Sequence, residues 1–188
     1  MFTLSTKNQW LVGGVLLLAM LVTRAHVSDH LLDASKAVFF LAGFYLRNLM
    51  AFGVFMAVAV VIDYVAITQF GVSDFCVSQA YVALVPAYGA LFVAGRWLAS
   101  AWQGETLATL GKLVLAVVVG FAVSEVISSG SFYAFSGKFA EFSVVELGGR
   151  LVKYAPHGLY VTSLYVAVGM ALHLAVSHFH ALTGKTTL

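Results

Sequence analysis

L-M-A-F-G-V-F-M-A-V-A-V-V-I-D-Y-V-A-I-T-Q-F, residues 49–70, is an unbroken apolar run that carries one charge, Asp63. As a helix it is about 33 Å long at 1.5 Å per residue, which matches a hydrocarbon core of about 30 Å. The run is bounded by Arg47-Asn48 before it and by a short polar stretch after it, G-V-S-D-F-C-V-S-Q-A-Y (71–81), which holds the only cysteine, Cys76. Beyond that stretch the chain turns apolar again.

The whole chain repeats this alternation. Its 188 residues are 61% hydrophobic and 10% charged, with a mean hydropathy of +0.96. A soluble domain carries about 25% charged residues, so a soluble fold has too little polar surface to cover this chain. Barrel strands read as alternating segments of about ten residues. Here the runs are continuous, so the spans are helices. The expected fold is an all-α integral membrane protein, one domain over residues 1–188. Six transmembrane helices are expected at about 10–23, 35–47, 49–70, 79–99, 107–129 and 156–182.

Several local signals set those bounds. The first run resembles a signal-peptide core, but T-R-A-H (23–26) is a poor cleavage site, so it reads as an uncleaved helix. Ser35 is a candidate cap for the second helix, which is short for a crossing. Pro86 predicts a kink near residues 82–85. The run S-S-G-S (128–131) predicts the end of the fifth helix. Residues 144–154 read as an amphipathic helix at the interface. Pro156 reads as the first turn of the sixth helix.

Six crossings place both termini on one side and three segments (24–35, 71–78 and 130–155) on the other. Lys and Arg divide five to five between the sides. Most of the acids lie with the second set, and the termini are assigned to the cytoplasm. Parity then groups Cys76, His26, His30 and Arg150 at one face, with Asp63, Tyr81, Glu125 and His157 near helix ends beneath it. Asp63 lies about 10 Å deep by helix rise. This convergence reads as a ligand site open to one compartment.

Each candidate has a plainer reading beside it. A free cysteine is most often a small apolar residue packed between helices. In a polar loop at a bundle mouth it is alternatively a nucleophile or a soft-metal ligand. Neighbouring Asp74 disfavours a free thiolate, whereas a bound metal deprotonates the thiol. Asp63 is either a functional carboxylate or one half of a structural ion pair, with Arg24 and Arg150 within reach. Glu125 reads as reaching water. His26 and His30 are a possible metal pair or solvated loop residues. His173, His178 and His180 read as interfacial. Phe75, Tyr88 and Trp97 read as packing aromatics, while Tyr81 sits where its hydroxyl meets a ligand. The chain has no P-loop, C-x-x-C, G-x-S-x-G or G-x-G-x-x-G motif, so no nucleotide site is expected. The small net charge of +2 gives no reason to expect nucleic acid as a partner.

The runs I-D-Y-V-A-I-T (62–68), G-V-S-D-F-C-V-S-Q-A-Y (71–81) and V-P-A-Y-G-A-L-F-V-A-G-R-W (85–97), with A-V-F-F-L-A-G-F-Y-L-R (37–47), resemble the BtuM family of small bacterial cobalamin transporters. The resemblance covers about residues 20–100 and is carried above all by the cysteine after the third helix. It implies a six-helix protein similar to the substrate-binding components of energy-coupling-factor vitamin transporters, multi-pass in the bacterial inner membrane. It also implies a periplasmic pocket and no dedicated ATPase module. The residue matching Cys76 is implied to bind the cobalt of cobalamin and to take part in removing cyanide from cyanocobalamin. Asp63 and Tyr81 match family polar positions, as do His26 and Arg150, and Phe75 is expected to line the same site. The rival expectation is a substrate-binding component for a different vitamin, served by a shared ATPase module. A haem protein is disfavoured because no histidine pair sits on two central helices.

Overall fold

The structure is a computed structural model that describes residues 4–24, 32–74, 77–139 and 143–183. The described residues form α1 (Thr6–Arg24), α2 (Ser35–Tyr45), α3 (Leu49–Phe70), a 3₁₀ turn (Gln79–Ala83), α4 (Leu84–Ala101), α5 (Leu107–Phe135) and α6 (Val144–Thr183). Four segments are long and apolar enough to cross a membrane: Leu49–Phe70, Gln79–Ala101, Leu107–Phe135 and Val144–Phe179.

The architecture is organised around the shortest helix. All of α2 is buried except Lys36. Phe39, Phe40 and Phe44 are wholly enclosed, and they pack with Phe55, Phe92, Met20, Leu91 and Leu98 from the surrounding helices. The closest pair is α2 with α4. A Cβ on Gly43 would lie 2.0 Å from the Phe92 carbonyl oxygen, and one on Gly95 would lie 2.0 Å from that of Phe40. Only glycine permits this backbone approach. Small residues at the crossing are the usual solution between apolar helices, where packing rather than water exclusion drives association.

The outer faces are the reverse of the core. Trp10, Leu11, Val61, Val119 and Leu172 are all more than half exposed. An apolar helix face left uncovered on every side is what a lipid solvent requires.

Local chemistry explains most boundaries. Asn48 caps α3 by accepting from the Met50 amide at 2.9 Å, and Gly71 ends it in the left-handed conformation at φ 67°. Thr106 caps α5 by accepting from the Thr109 amide at 3.2 Å. Pro86 falls in the first turn of α4, directly after the 3₁₀ turn. The break expected near 82–85 is therefore a change of helix type.

Three boundaries correct the sequence reading. α5 runs through S-S-G-S to Phe135, because Ser128 and Ser129 both donate back to Glu125 within the helix. α6 is one helix from Val144, with Pro156 inside it, so the interfacial helix and the sixth span are continuous. An interior proline lacks one backbone donor, but the first turns of α6 are tied to α5 through Tyr133 and Glu146. Finally, Ser35 opens α2 without capping it. Asp33 supplies the acceptor instead, to the Ser35 amide at 2.8 Å.

Candidate functional site: a cavity at one end of the bundle

A cavity of about 600 Å³ opens at the end of the bundle where α1, α3 and α5 finish and α2, α4 and α6 begin. Its lining comes from three separated segments: Arg24 and Asp33; Asp63 to Tyr88; and Ser128 to Tyr154. These are the segments that helix parity groups on one side.

The floor is an ion-pair network. Arg24, the last residue of α1, is only 7% exposed. It grips Asp63 with two prongs, Nε to Oδ1 and Nη2 to Oδ2, both at 2.7 Å. Its Nη1 donates to the Ser35 hydroxyl at 3.0 Å and to the Tyr88 hydroxyl at 2.8 Å, with Asp33 3.5 Å away. Tyr81 donates its hydroxyl proton to Asp63 Oδ2 at 2.6 Å. One guanidinium thus ties α1 to α2, α3 and α4. The planar fork of arginine suits this task because it matches a carboxylate in two places at once. Beneath it, Tyr88 stacks on Phe39 with centroids 4.4 Å apart and planes 8° from parallel. Phe39 in turn meets Phe52 and Phe55 edge-on.

The wall opposite is aromatic and cationic. Arg150 lies 4.4 Å over the Phe139 ring and 5.5 Å over Tyr133, and donates to Glu146 at 2.7 Å. Tyr133 also donates to Glu146, at 2.7 Å. A third pair sits just behind the lining. Glu125 is buried, ion-paired with Lys36, and takes the Ser129 hydroxyl proton at 2.7 Å. Glu125 therefore does not reach water as expected. Lys36 reaches it by folding over the Phe121 ring, 4.7 Å from its centroid.

Of the residues singled out from sequence, Asp63, Tyr81 and Arg150 all line the cavity. Arg24, not Arg150, is the partner of Asp63; Arg150 is held on its own helix by Glu146, four residues away. Cys76, Phe75, His26 and His30 lie outside the described residues, as does the side chain of His180. The chain is described up to Asp74 and again from Val77, and Ser73 and Val77 both line the cavity. His157 is exposed and is not among the lining residues. His173 is buried among Phe44, Tyr45 and Trp102, with ring centroids 5.5–6.3 Å away. No group of three metal-binding side chains occurs among the described residues.

Three contributors were not legible as site residues. Tyr88 reads as packing, although its spacing of seven from Tyr81 is two helical turns and signals a shared face. Ser35 and Asp33 read as a cap and a loop acid, and only the approach of α1 turns them toward Arg24. No family model matches this chain, and no curated protein matches it.

Proposed function

We propose that this chain is a corrinoid uptake protein of the bacterial inner membrane, with cobalamin seated in the cavity and its cobalt ligated by Cys76. The observation that carries this reading is the cavity itself. Its lining runs up to both sides of the Cys76 stretch, through Ser73 and Val77. A volume of about 600 Å³ is within the usual range of small-molecule sites, about 300–1,000 Å³. The open mouth lets a large planar ring sit partly outside it. Aromatic rings with a few fixed polar groups suit a corrin with an amide-bearing rim.

In this reading six helices cross. α2, at about 16 Å by helix rise, is short for the bilayer. It needs to reach only from the recessed cavity floor to the opposite face, and its flanks meet protein, not lipid. The termini are cytoplasmic and the cavity is periplasmic. Transport proceeds by reorientation of the bundle, with no dedicated ATPase. Cys76 would hold the cobalt as a thiolate, whose electron donation would loosen a bound cyanide; an associated decyanation would release it as the anion with its bonding pair, with no change of oxidation state.

The test is the absorption spectrum of protein purified from cells supplied with cobalamin, beside Cys76→Ala. The expected outcome is a bound corrinoid with a spectrum displaced from that of free cobalamin in the wild type, and reversion in the variant. A colourless wild type sinks the corrinoid reading and favours another vitamin. An unchanged spectrum in a coloured variant removes Cys76 from the cobalt.

A further inference from the structure

The hydrogen-bond directions on the cavity floor have a consequence for selectivity. Asp63, in a two-pronged pair with Arg24, is a carboxylate and can only accept. Its oxygens offer about four lone-pair directions; Arg24 takes two and Tyr81 one. The Asp63 side chain is 22% exposed and lines the cavity, so the remaining capacity faces the ligand space. Tyr81 has a single proton, and it is committed to Asp63. Its oxygen is also bonded by Arg24, so Tyr81 offers the cavity no free proton. Ser129 repeats the pattern, with its proton directed to Glu125. The cation beneath does not compensate. Four donor contacts of Arg24 point to Asp63, Ser35 and Tyr88, and its side chain also bonds Tyr81.

We propose that Asp63, beside a Tyr81 that offers no free proton, forms an acceptor wall that selects ligands presenting an N–H or O–H donor, as a primary amide does, and rejects a carboxylate at the same position. Arg24 is the positioning residue: by fixing both oxygens of Asp63, it fixes the direction of the Tyr81 proton and so the polarity of the wall. This rests on the corrinoid reading, and it adds which chemical edge of the ligand the floor reads. An amide N–H gains a charge-assisted bond at Asp63. A carboxylate at that position meets like charge and leaves buried acceptors facing acceptors.

The experiment is isothermal titration of the purified full chain with cyanocobalamin and with its singly hydrolysed derivatives, in which one peripheral amide at a time is a carboxylate. The expected result is that at least one isomer binds about tenfold or more weakly than the parent. That penalty shrinks in Asp63→Asn, whose side chain amide can donate to the carboxylate. Should Asp63→Asn fail to fold with Arg24 unpartnered, the double variant Arg24→Gln with Asp63→Asn removes both charges together. Its penalty should shrink likewise. Tyr81→Phe, which keeps the carboxylate, should retain most of the penalty. If every isomer binds as the parent does, or if the penalty is the same without the Asp63 charge, the acceptor wall is wrong while corrinoid binding stands. If the parent is not bound at all, the corrinoid reading fails, and the amide selection falls with it.

Discussion

The two ends of this bundle solve the same problem in opposite ways. At the cavity end, Arg24, Asp63, Tyr81, Tyr88, Ser35 and Asp33 hold four helices through hydrogen bonds and ion pairs directed at one guanidinium. At the other end, rings dominate where α2 meets α6 and the end of α4: Phe44, Tyr45, Trp102 and His173 pack edge-on or tilted, and the Tyr45 hydroxyl donates to the Gly169 carbonyl at 3.5 Å. Apolar packing holds helices together but offers a ligand few directed contacts. A network of fixed donors and acceptors does the reverse. It keeps polar groups at the edge of an open cavity in one arrangement, and it fails sharply when one member is removed.

The sharpest way to break the contrast is Arg24→Ala. It leaves Asp63 without its counter-charge and strips partners from Ser35 and Tyr88. The expected loss is about 3–5 kcal/mol, the usual cost of breaking one side of a buried pair. Thermal unfolding in detergent measures it. Arg24→Met with Asp63→Leu should recover much of the loss, because neither charge is then stranded. Recovery of stability without recovery of corrinoid binding would separate the structural task of the network from its recognition task. If Arg24→Ala unfolds like the wild type, the network is not what holds this end together.

A change between the two ends should act through packing alone. Gly95→Ala forces a Cβ onto the Phe40 carbonyl, so α2 and α4 must separate. The expected cost is about 1–3 kcal/mol, as for other overpacked contacts. The affinity of whatever corrinoid is bound should change less than in Arg24→Ala. A cost confined to binding, with no shift in unfolding temperature, would overturn the view that this crossing is a structural element.

The smallest effect on stability is expected at Glu146→Gln. That pair with Arg150 is exposed, and exposed pairs contribute little. Unfolding temperature should be unchanged, whereas Arg150 loses the anchor that keeps it over Phe139. Titration with corrinoid reads that change. A large drop in stability would mean that the start of α6 is held to α5 through this residue more than its exposure suggests.

The membrane class was legible because it depends on local properties. A run of 22 residues with one charge has few alternatives, and α3 begins and ends at the residues read from sequence. The capping chemistry of Asn48 and Gly71 explains why. The errors all concern signals that neighbours override. S-S-G-S terminates a helix only if the serine hydroxyls draw the backbone out of it, and here Ser128 donates to the Glu125 carbonyl one turn back and Ser129 to the Glu125 carboxylate, both within the helix. Pro156 starts a helix only if nothing holds the preceding turns, and here Tyr133 does. Glu125 reads as reaching water because no local pattern reveals Lys36, 89 residues away, and the burial of His173 is equally hidden because its aromatic nest comes from other helices.

By itself, the sequence determined that the chain is helical and largely apolar, and that Asp63 and Tyr81 lie toward one end. Hydropathy and helix length suffice for that, since each is counted along a single segment. The tertiary structure alone decided that the shortest helix is the central one, because only backbone contact at Gly43 and Gly95 lets α4 press against it. It also decided that Asp63 belongs to Arg24 and not Arg150. Both arginines are within reach by topology, but one guanidinium is enclosed where four helices meet, and the other stands over an aromatic wall with its own carboxylate one turn away.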